Sequence, residues 1–425
     1  MFENVEQVEA FFASRKSLGI KPGLDRVNAL LSLMNNPQNH MRAIHVAGTN
    51  GKGSTIHFMK DALKANGYQV GVFTSPSMTG LRGHIMINDS TIPEAIFLEL
   101  MRAVHPAIKQ LDRKSQAPTE FEIMTVLAFM YFSTHTDIAL IEAGMGGRED
   151  TTNVFSPILS IITNVARDHT AFLGDTTAEI AYQKAGIIKN HVPVVSGDLG
   201  REALHVIEKE ILLRDTQLYQ LGKDFSCTNL KKKGTVQYFS WRRVRGYCAN
   251  IAIQMQGDHQ IKNASIAYMA LIQLIDNGYK LDLERAIIAM GNTQVPGRFE
   301  MIWRDPVIII DGAHNPAAMQ VFIDTVTENY KSKERHLLFA AFRDKEIDTM
   351  LNQLSTYFSS ITLTSFDHPR AAQADVLYQA TNAGDKGICS DWGDAIKKMM
   401  QHQDRYYFIT GSLTFIASVR NYFKQ

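Results

Sequence analysis

Short apolar runs alternate with segments of helical periodicity along most of this sequence, and that alternation limits the possible folds more than any other feature. The runs Ala43–Gly48, Asp137–Ala143 and Ser160–Val165 are largely apolar over their whole length, which is typical of strands buried on both faces of a sheet. Helical spacing follows in Ser54–Asn66 and in Arg201–Leu213. The pattern predicts an α/β protein with a parallel sheet covered by helices.

The pattern breaks at Gln294–Arg298, where a proline and a glycine interrupt it, and then restarts. We therefore predict two domains, at residues 1–295 and 296–425, the second being smaller and doubly wound. Within the first, the stretch Leu218–Gln256 is rich in Tyr, Phe, Val and Thr and predicts antiparallel strands.

The formal net charge of this 425-residue chain is only +1, which argues against a nucleic-acid partner, because such partners select a strongly basic surface. Two basic runs, Lys231–Lys233 and Arg242–Arg245, are interpreted as solvated faces of a hairpin. The three cysteines have no metal-binding spacing and fit a reducing compartment. The sequence shows neither a signal peptide nor an apolar run of about 18 residues, so we expect a cytoplasmic protein without a membrane segment.

A glycine-rich loop, Gly48–Thr55, lies between a predicted strand and a predicted helix, the context in which such loops bind phosphate. Loop N–H groups and the positive end of the helix favour phosphate oxygens, and the Lys52 ammonium can reach the outer phosphates of a nucleotide. The pattern departs from the standard motif at Val46, where glycine is expected, and at Gly53, where Ser or Thr is expected. The alternative is a plain strand-to-helix turn, which would not need the lysine.

Glu142 ends a predicted buried strand, where a carboxylate can hold Mg²⁺ opposite a phosphate loop. An acid after an apolar run is also a common strand end without further function. The functional interpretation gains from the next residues, because Gly144–Arg148 combines a close-approaching backbone with a guanidinium, and Asp150–Asn153 adds polar groups.

Two further predicted strands are followed by histidines. His169 could bind a metal or a phosphate, although a lone histidine is more often a surface or core residue. His314 precedes Asn315 and Pro316, which are expected to cap and begin a helix. Asp311 and His314 would then lie on a loop where open α/β sheets bind ligands, and simple helix capping is the alternative.

Together these motifs resemble the ATP-dependent Mur ligase superfamily and, within it, the folylpolyglutamate synthase and dihydrofolate synthase family. The resemblance covers nearly the whole chain in order and rests on ten segments: His45–Ser54, Phe73–Pro76, Glu142–Arg148, Asp150–Val154, Asp168–Thr170, Lys184–Lys189, Gly257–Gln260 with Asn263, Pro296–Glu300, Asp311–Pro316 and Thr410–Leu413. It implies a P-loop ATPase domain with a parallel sheet, followed by a smaller Rossmann-like C-terminal domain.

The resemblance also implies the residues of the site. The expected ATP-binding residues are Gly48, Thr49, Asn50, Gly51, Lys52, Gly53, Ser54, Asn263, Arg298 and Asp311. The expected Mg²⁺ ligands are Ser75, Glu142 and His169. The expected catalytic residues are Lys52, Glu142, His169, Lys184, Arg298 and His314, the last matching a position on the amino-acid side of the cleft.

Lys184 matches a lysine that the family carbamylates, which would turn a cation into an anion able to help hold a second Mg²⁺. A surface ion pair is the alternative for this lysine. Gln183 stands where the family usually has a glutamate, a departure that bears on the second metal site.

The implied reaction is ATP-dependent amide formation. ATP would convert a carboxylate of a folate or a dihydropteroate into an acyl phosphate, and the amine of L-glutamate would then attack the acyl carbon. Lys52, Arg298 and Mg²⁺ would spread the charge of the transferring phosphoryl group. The expected partners are these small molecules, and a monomer is expected.

The segment Ser77–Ile85 departs from the family. There the family continues with a His or Phe and an Asn-Glu-Arg-Ile run, whereas this chain has Gly83 and His84 in place of the Glu and Arg. Since this loop borders the pterin pocket in the family, the same ligase chemistry on a different carboxylate stays open. A separate alternative is a nucleotide-binding regulator that uses the fold without turnover. The residues also leave open whether the product is dihydrofolate, a polyglutamate or both.

Overall fold

The computed structural model describes residues 2–244 and 246–424, so Arg245 of the second basic run lies outside the described residues. The chain divides into two units, one made of Met1–Ile253 with Ile261–Thr293 and the other of Gln254–Gln260 with Gln294–Gln425. The predicted single boundary between residues 295 and 296 does not describe this division fully, because the short segment Gln254–Gln260 groups with the second unit.

Helices and strands alternate up to residue 293. The helices are α1 (Val5–Arg15), α2 (Asp25–Leu33), α3 (Lys52–Ala65), α4 (Glu94–Arg113), α5 (Glu120–His135), α6 (Thr170–Leu173), α7 (Thr177–Ala185), α8 (Arg201–Leu213), α9 (Asp258–Asp276) and α10 (Leu283–Gly291). The strands are β1 (Ala43–Ala47), β2 (Val70–Phe73), β3 (Ile85–Ile87), β4 (Ser90–Thr91), β5 (Ile138–Glu142), β6 (Leu159–Ile162), β7 (Val194–Ser196), β8 (Leu218–Gln220), β9 (Phe225–Lys233), β10 (Val236–Arg243) and β11 (Cys248–Ile253).

The main sheet of the first unit has eight strands in the order β4-β3-β2-β5-β1-β6-β7-β8. Neighbours from β2 to β8 run parallel, whereas β3 and β4 form an antiparallel edge. Every residue of β1, β2, β5 and β6 is buried, which explains why these strands read as continuous apolar runs. The predicted α/β fold with a parallel sheet is confirmed.

The stretch predicted to be antiparallel is split between two sheets. β8 joins the main sheet in parallel to β7, and β9, β10 and β11 form a separate antiparallel sheet. The basic run Lys231–Lys233 lies exposed at the end of β9, next to the turn into β10, as the hairpin interpretation expects.

A large apolar core supports the main sheet on the side of α4 and α5. Phe97, Phe129 and Phe132 are fully buried in it. Burial of side chains of this size stabilises a fold by roughly 1.5–3 kcal/mol each. The strand ends are therefore held on a rigid support.

The second unit has its own sheet and core. Its strands are β12 (Glu300–Arg304), β13 (Val307–Ile310), β14 (Arg335–Phe339), β15 (Ser360–Leu363), β16 (Lys386–Ile388) and β17 (Tyr406–Thr410). Its helices are α11 (Pro316–Asn329), α12 (Ile347–Leu354), α13 (Ala374–Ala380), α14 (Trp392–Met399) and α15 (Leu413–Tyr422). The strand order is β12-β13-β17-β14-β15-β16, parallel except for β12, so the predicted second α/β domain is present as a doubly wound sheet.

Among the described residues, no helix combines the length and the apolar character needed to cross a bilayer.

Candidate active site

The loop between β1 and α3 can be formed only by glycine at two of its positions. Gly48 has φ of 150°, and a Cβ there would lie 1.9 Å from Thr163 Oγ1. Gly51 has φ of 87°, and a Cβ there would lie 2.3 Å from Asn263 Oδ1. Both positive φ values and both close approaches exclude other residues. The helix then begins at Lys52, so its first-turn N–H groups face the loop.

The loop is held in place by the segment that follows β6. The Thr163 hydroxyl donates to the Asn50 carbonyl at 2.6 Å, and the Asn50 N–H donates to Asn164 Oδ1 at 2.9 Å. The Thr49 hydroxyl donates to the Ala166 carbonyl at 2.9 Å and accepts from the Ala166 N–H at 3.0 Å. This segment therefore supports the loop, a role that the sequence did not indicate.

A lysine and a carboxylate meet at the carboxyl ends of β1, β2 and β5. Lys52 Nζ donates to the Gly48 carbonyl at 2.9 Å and lies 3.8 Å from Glu142 Oε1. The Ser75 N–H donates to Glu142 Oε2 at 3.3 Å. Glu142 is only 6% exposed. The structure thus brings together three of the predicted residues, beside the positive end of α3.

The site offers a partial set of ligands for Mg²⁺. Glu142 supplies a carboxylate, the ligand type that this ion prefers. In the part of the chain that the structure describes, no group of three or more His, Cys, Asp or Glu side chains is arranged to hold a metal ion. Mg²⁺ commonly takes one or two carboxylates and completes its shell with water and phosphate oxygens, so the residues present fit this ion.

Lys184 lies at the end of α7 and is only 3% exposed, which excludes the surface ion pair considered from the sequence. Burial and, to a smaller extent, the nearby positive charge of Lys52 lower the pKa of its ammonium to about 7. The negative charges of Asp168 and Asp150 act in the opposite direction on this pKa. Near neutral pH a large fraction of the side chain is therefore a neutral amine, the nucleophilic form.

The glycines of Gly144–Arg148 let their loop pack against the end of α7. A Cβ on Gly147 would lie 3.0 Å from the Lys184 carbonyl oxygen, and one on Gly186 would lie 2.2 Å from Arg148 Cα. The Arg148 guanidinium donates to Glu210 Oε2 at 2.8 Å. The close-approaching backbone predicted from the sequence is present, and the guanidinium serves an internal ion pair.

His169 lies directly after the β6 loop and has a left-handed backbone conformation, with φ of 52°. Its N–H donates to Asp168 Oδ1 at 2.8 Å, and its Nε2 lies 4.0 Å from the same oxygen. Its neighbour Asp168 is one of the residues whose charge acts on Lys184. The histidine is therefore placed on the loop side of the sheet, outside the apolar core.

In the second unit, Asp311 follows β13 and organises its loop. Its carboxylate accepts from the Phe299 N–H at 2.9 Å and from the Ala313 N–H at 2.8 Å. Burial raises the pKa of Asp311, while the charge of Arg298 and these hydrogen bonds oppose that rise. Asp311 and Arg298 are thus close neighbours within this unit.

His314 and the start of α11 complete this loop. The His314 Nδ1 lies 2.7 Å from the Gly312 carbonyl, so this nitrogen carries the donated hydrogen. The Asn315 side chain accepts from the Ala318 N–H at 2.8 Å, and Pro316 is the first residue of the helix. The predicted cap is confirmed, and it leaves Asp311 and His314 on the loop preceding it.

Comparison with known proteins identifies the family. Residues 46–271 match the Mur ligase middle domain, and residues 297–413 match the Mur ligase glutamate ligase domain. The chain is 34% identical over 430 aligned residues to the dihydrofolate synthase/folylpolyglutamate synthase of Bacillus subtilis, covering 100% of both chains. The chain belongs to the folylpolyglutamate and dihydrofolate synthase family of Mur ligases.

Further relatives support this family assignment. The chain is 33% identical over 401 residues to the folylpolyglutamate synthase of Lacticaseibacillus casei, covering 93% of both chains. The folylpolyglutamate synthase of Mycobacterium tuberculosis, solved with ADP and AMPPCP, superposes with a TM-score of 0.92 at 27% identity, covering 99% of this chain and 98% of that one. The predicted two-part fold is confirmed, and as a family member the chain is an ATP-dependent ligase that binds nucleotide, so the regulator alternative is wrong.

The Mur ligase contains a buried polar network that was not among the predicted site residues. His45, which is fully buried in β1, lies with Nε2 2.9 Å from the Thr152 hydroxyl, and that hydroxyl donates to Asp150 Oδ1. Since the hydroxyl donates to Asp150, the histidine must donate from Nε2. Burial, with a smaller contribution from Lys189, lowers the pKa of His45 to about 3, so the ring stays neutral. A polar histidine inside an apolar strand was the available signal.

A second missed pair lies after β14 and β15 of the Mur ligase. Arg370 donates to both carboxylate oxygens of Asp344, from Nε at 3.1 Å and from Nη2 at 2.6 Å. Both residues follow the carboxyl ends of parallel strands, where open sheets bind ligands. The signal that could have found them is a charged residue soon after each apolar run.

Proposed function

We propose that this chain joins L-glutamate to a carboxylate of a folate or a dihydropteroate, with ATP as the energy source. The observation that carries this proposal is the Lys52–Glu142 pair beside the Gly48–Ser54 loop, in a chain that matches a dihydrofolate synthase/folylpolyglutamate synthase over its whole length.

The first step activates the carboxylate. A carboxylate is a poor electrophile, and transfer of the γ-phosphoryl group to one of its oxygens gives ADP and an acyl phosphate. The Lys52 ammonium and the first-turn N–H groups of α3 lie where they can stabilise the charge on the phosphoryl oxygens. Glu142 holds the lysine in this position through their 3.8 Å contact.

The second step forms the amide. The lone pair of the glutamate amine attacks the acyl carbon, and the bond from that carbon to the phosphate oxygen breaks. The products are an amide, inorganic phosphate and a proton. No bond to the enzyme forms at any point, so the site needs orientation and charge stabilisation but no nucleophilic side chain.

Mg²⁺ is the metal we assign to this site, with Glu142, Ser75 and His169 as its proposed protein ligands. When bound, it would neutralise charge on the phosphates. The Ser75 N–H that donates to Glu142 fixes one carboxylate oxygen, which leaves the orientation of the other defined as well.

Lys184 is the proposed site of carbamylation. Its neutral amine would attack CO₂ to give a carbamate and release a proton, and the carbamate would add an anionic ligand for a second Mg²⁺. The pKa of about 7 supports this proposal, because carbamylation requires the neutral amine. Asp168 and Asp150 add negative charge nearby, which would favour binding of the second Mg²⁺ beside the carbamate.

The remaining assignments are proposed from family position. The loop residues 48–54 and Asn263 bind ATP, as do Arg298 and Asp311, and His314 takes part in catalysis. The domain division at 1–295 and 296–425 is likewise proposed, as is a monomer that acts on small molecules. The cytoplasmic location stays a prediction.

The decisive experiment measures phosphate release from ATP in the presence of Mg²⁺ and glutamate, adding dihydropteroate or a reduced folate in turn. Stimulation by either compound supports the proposal and identifies which step the enzyme serves. ATP turnover that neither compound stimulates would instead support ligase chemistry on another carboxylate.

A further inference from the structure

The peptide group between Thr74 and Ser75 is held at both of its polar ends. On one side, His84 Nδ1 lies 2.7 Å from the Thr74 carbonyl oxygen. On the other side, the Ser75 N–H donates to Glu142 Oε2 at 3.3 Å. Because a carbonyl can only accept, the histidine donates from Nδ1. A continuous hydrogen-bonded line therefore runs from His84 through one peptide group to the proposed phosphate-side carboxylate.

His84 also contacts Thr74 through its backbone. The Thr74 N–H donates to the His84 carbonyl at 3.2 Å, which extends the pairing of β2 and β3 by one residue. Burial lowers the pKa of His84, so its ring is neutral at neutral pH and keeps one donating nitrogen. The contact is thus a fixed feature of the fold, set by the strand pair itself.

The neighbouring glycine completes this arrangement. A Cβ on Gly83 would lie 2.2 Å from Ser77 Oγ and 2.1 Å from Thr79 Oγ1, so the two hydroxyls occupy the space that a side chain would need. The Thr79 N–H donates to Ser77 Oγ at 3.1 Å, which keeps the segment folded on itself. Ser77 and Thr79 therefore pack against Gly83, and this packing positions the next residue, His84, beside Thr74.

We propose that His84 is a positioning residue for the phosphate end of the reaction: by holding the Thr74 carbonyl, it orients the Ser75 N–H on the Glu142 carboxylate. The altered Ser77–Ile85 segment then acts on nucleotide and metal chemistry, not on the choice of acceptor. This inference rests on the proposed function. Hydrogen bonds in such a line polarise one another, so loss of the first weakens the last.

The test uses a pair of substitutions that differ in which ring nitrogen they imitate. In H84N the side-chain amide can occupy the place of Nδ1, whereas in H84Q it reaches toward Nε2. We expect H84N to retain kcat, and H84Q to lower kcat by on the order of 10-fold and to raise the Mg²⁺ concentration needed for half-maximal activity, as for other groups that orient a metal ligand. KM for the acceptor should stay unchanged in both.

A matched control exists at the other end of the same sheet. The Nδ1 of His135 also lies near a backbone carbonyl, that of Tyr131, at 3.0 Å, and near the Thr134 hydroxyl at 2.7 Å. His135 lies at the end of α5, before β5 begins. Substitutions H135N and H135Q should leave kcat and the Mg²⁺ requirement unchanged. A loss in H135Q equal to that in H84Q would overturn the inference, because the effect would then be general.

Two readouts do not depend on turnover. Calorimetric titration of ADP with and without Mg²⁺ should show that Mg²⁺ strengthens ADP binding less in H84Q than in wild type. In the wild-type protein, the ¹⁵N shifts of the His84 ring should report hydrogen on Nδ1. An Nε2–H ring, or an H84Q variant that changes only the acceptor KM, would overturn the inference. Failure of the wild type to use either pterin would contradict the proposed function alone, since the ring and ADP measurements would still stand.

Discussion

Glu142, at the end of β5 in the first unit, and Asp311, directly after β13 in the second, are carboxylates with different partners. In the first unit, charged side chains face one another: Lys52 lies against Glu142, and burial together with the positive charge of Lys52 lowers the pKa of Lys184. In the second unit, the Asp311 carboxylate accepts from the backbone N–H groups of Phe299 and Ala313. The first arrangement sets up charges that a reaction can use, whereas the second mainly fixes the shape of a loop.

This difference predicts different consequences of substitution. Removing a charge from the first unit should lower turnover while leaving the fold intact, because Lys52 is partly exposed and its helix has other supports. Removing the Asp311 carboxylate should cost stability first, because buried N–H groups lose an acceptor.

The largest effect is expected for Lys52→Ala. Loss of a group that stabilises charge in the transition state should lower kcat by on the order of 10²–10³. Steady-state phosphate release measures this, and Lys64→Ala is the control, because Lys64 is on the same helix but pairs with the exposed Asp89. Turnover near that of the wild type in Lys52→Ala would remove the phosphate-loop assignment.

Lys184→Met should give the next largest effect. The substitution keeps an unbranched apolar stem but removes the amine, so we expect kcat to fall by on the order of 10–100-fold, as for a group that shapes a metal site. Depleting bicarbonate should lower the activity of the wild type and not that of the variant. Lys189→Met is the control, since Lys189 also has a pKa lowered by burial, to about 8, but is not a proposed ligand. Equal losses in the two variants would contradict a special role for Lys184.

Asp311→Asn tests the second unit. The amide keeps one acceptor oxygen and replaces the other with a donor that faces an N–H group, so we expect a loss of about 1–3 kcal/mol in the free energy of unfolding. Urea denaturation followed by tryptophan fluorescence measures it. Asp344→Asn is the control, because that carboxylate is partly exposed. An Asp311→Asn variant with unchanged stability but weaker ATP binding would show that this carboxylate serves nucleotide binding and not the shape of the loop.

The sequence predicted the long elements well, for a physical reason. Helix α8 has the bounds expected from its periodicity, and the buried strands β1, β5 and β6 lie where the apolar runs are. The short β12 and β16 were missed because β12 is half exposed and β16 spans three residues with a glycine at its centre. Short edge strands have too few buried residues to give a pattern.

The site followed a similar rule. Residues that the backbone conformation demands, such as Gly48 and Gly51, and residues at strand ends, such as Glu142, could be found from local sequence. The burial of Lys184 and the contact of His84 with Thr74 could not, because both depend on residues that are brought close by the fold. From the sequence alone, the loop after Ser75 could therefore be connected only with acceptor recognition.

The last expected effect is a pH dependence of stability that arises from Lys184. The pKa is about 7 in the folded protein and about 10.4 for an ordinary lysine, so between these values the unfolded chain binds more protons. The free energy of unfolding should therefore rise with pH in this window and level off outside it. In CO₂-free buffer, the free energy of unfolding of the wild type minus that of Lys184→Met should increase from pH about 7 upward. Urea denaturation measures both values.

The same experiment separates a neutral amine from a carbamate. If CO₂ reacts with Lys184 only in the folded state, bicarbonate acts as a ligand and adds stability to the wild type, whereas Lys184→Met lacks the amine and gains nothing. A pH slope that is equal in both proteins would show that this lysine keeps its proton in the fold. The charges of Asp168 and Asp150 would then outweigh the effect of burial on the pKa of Lys184, and this lysine would be a cation paired with carboxylates.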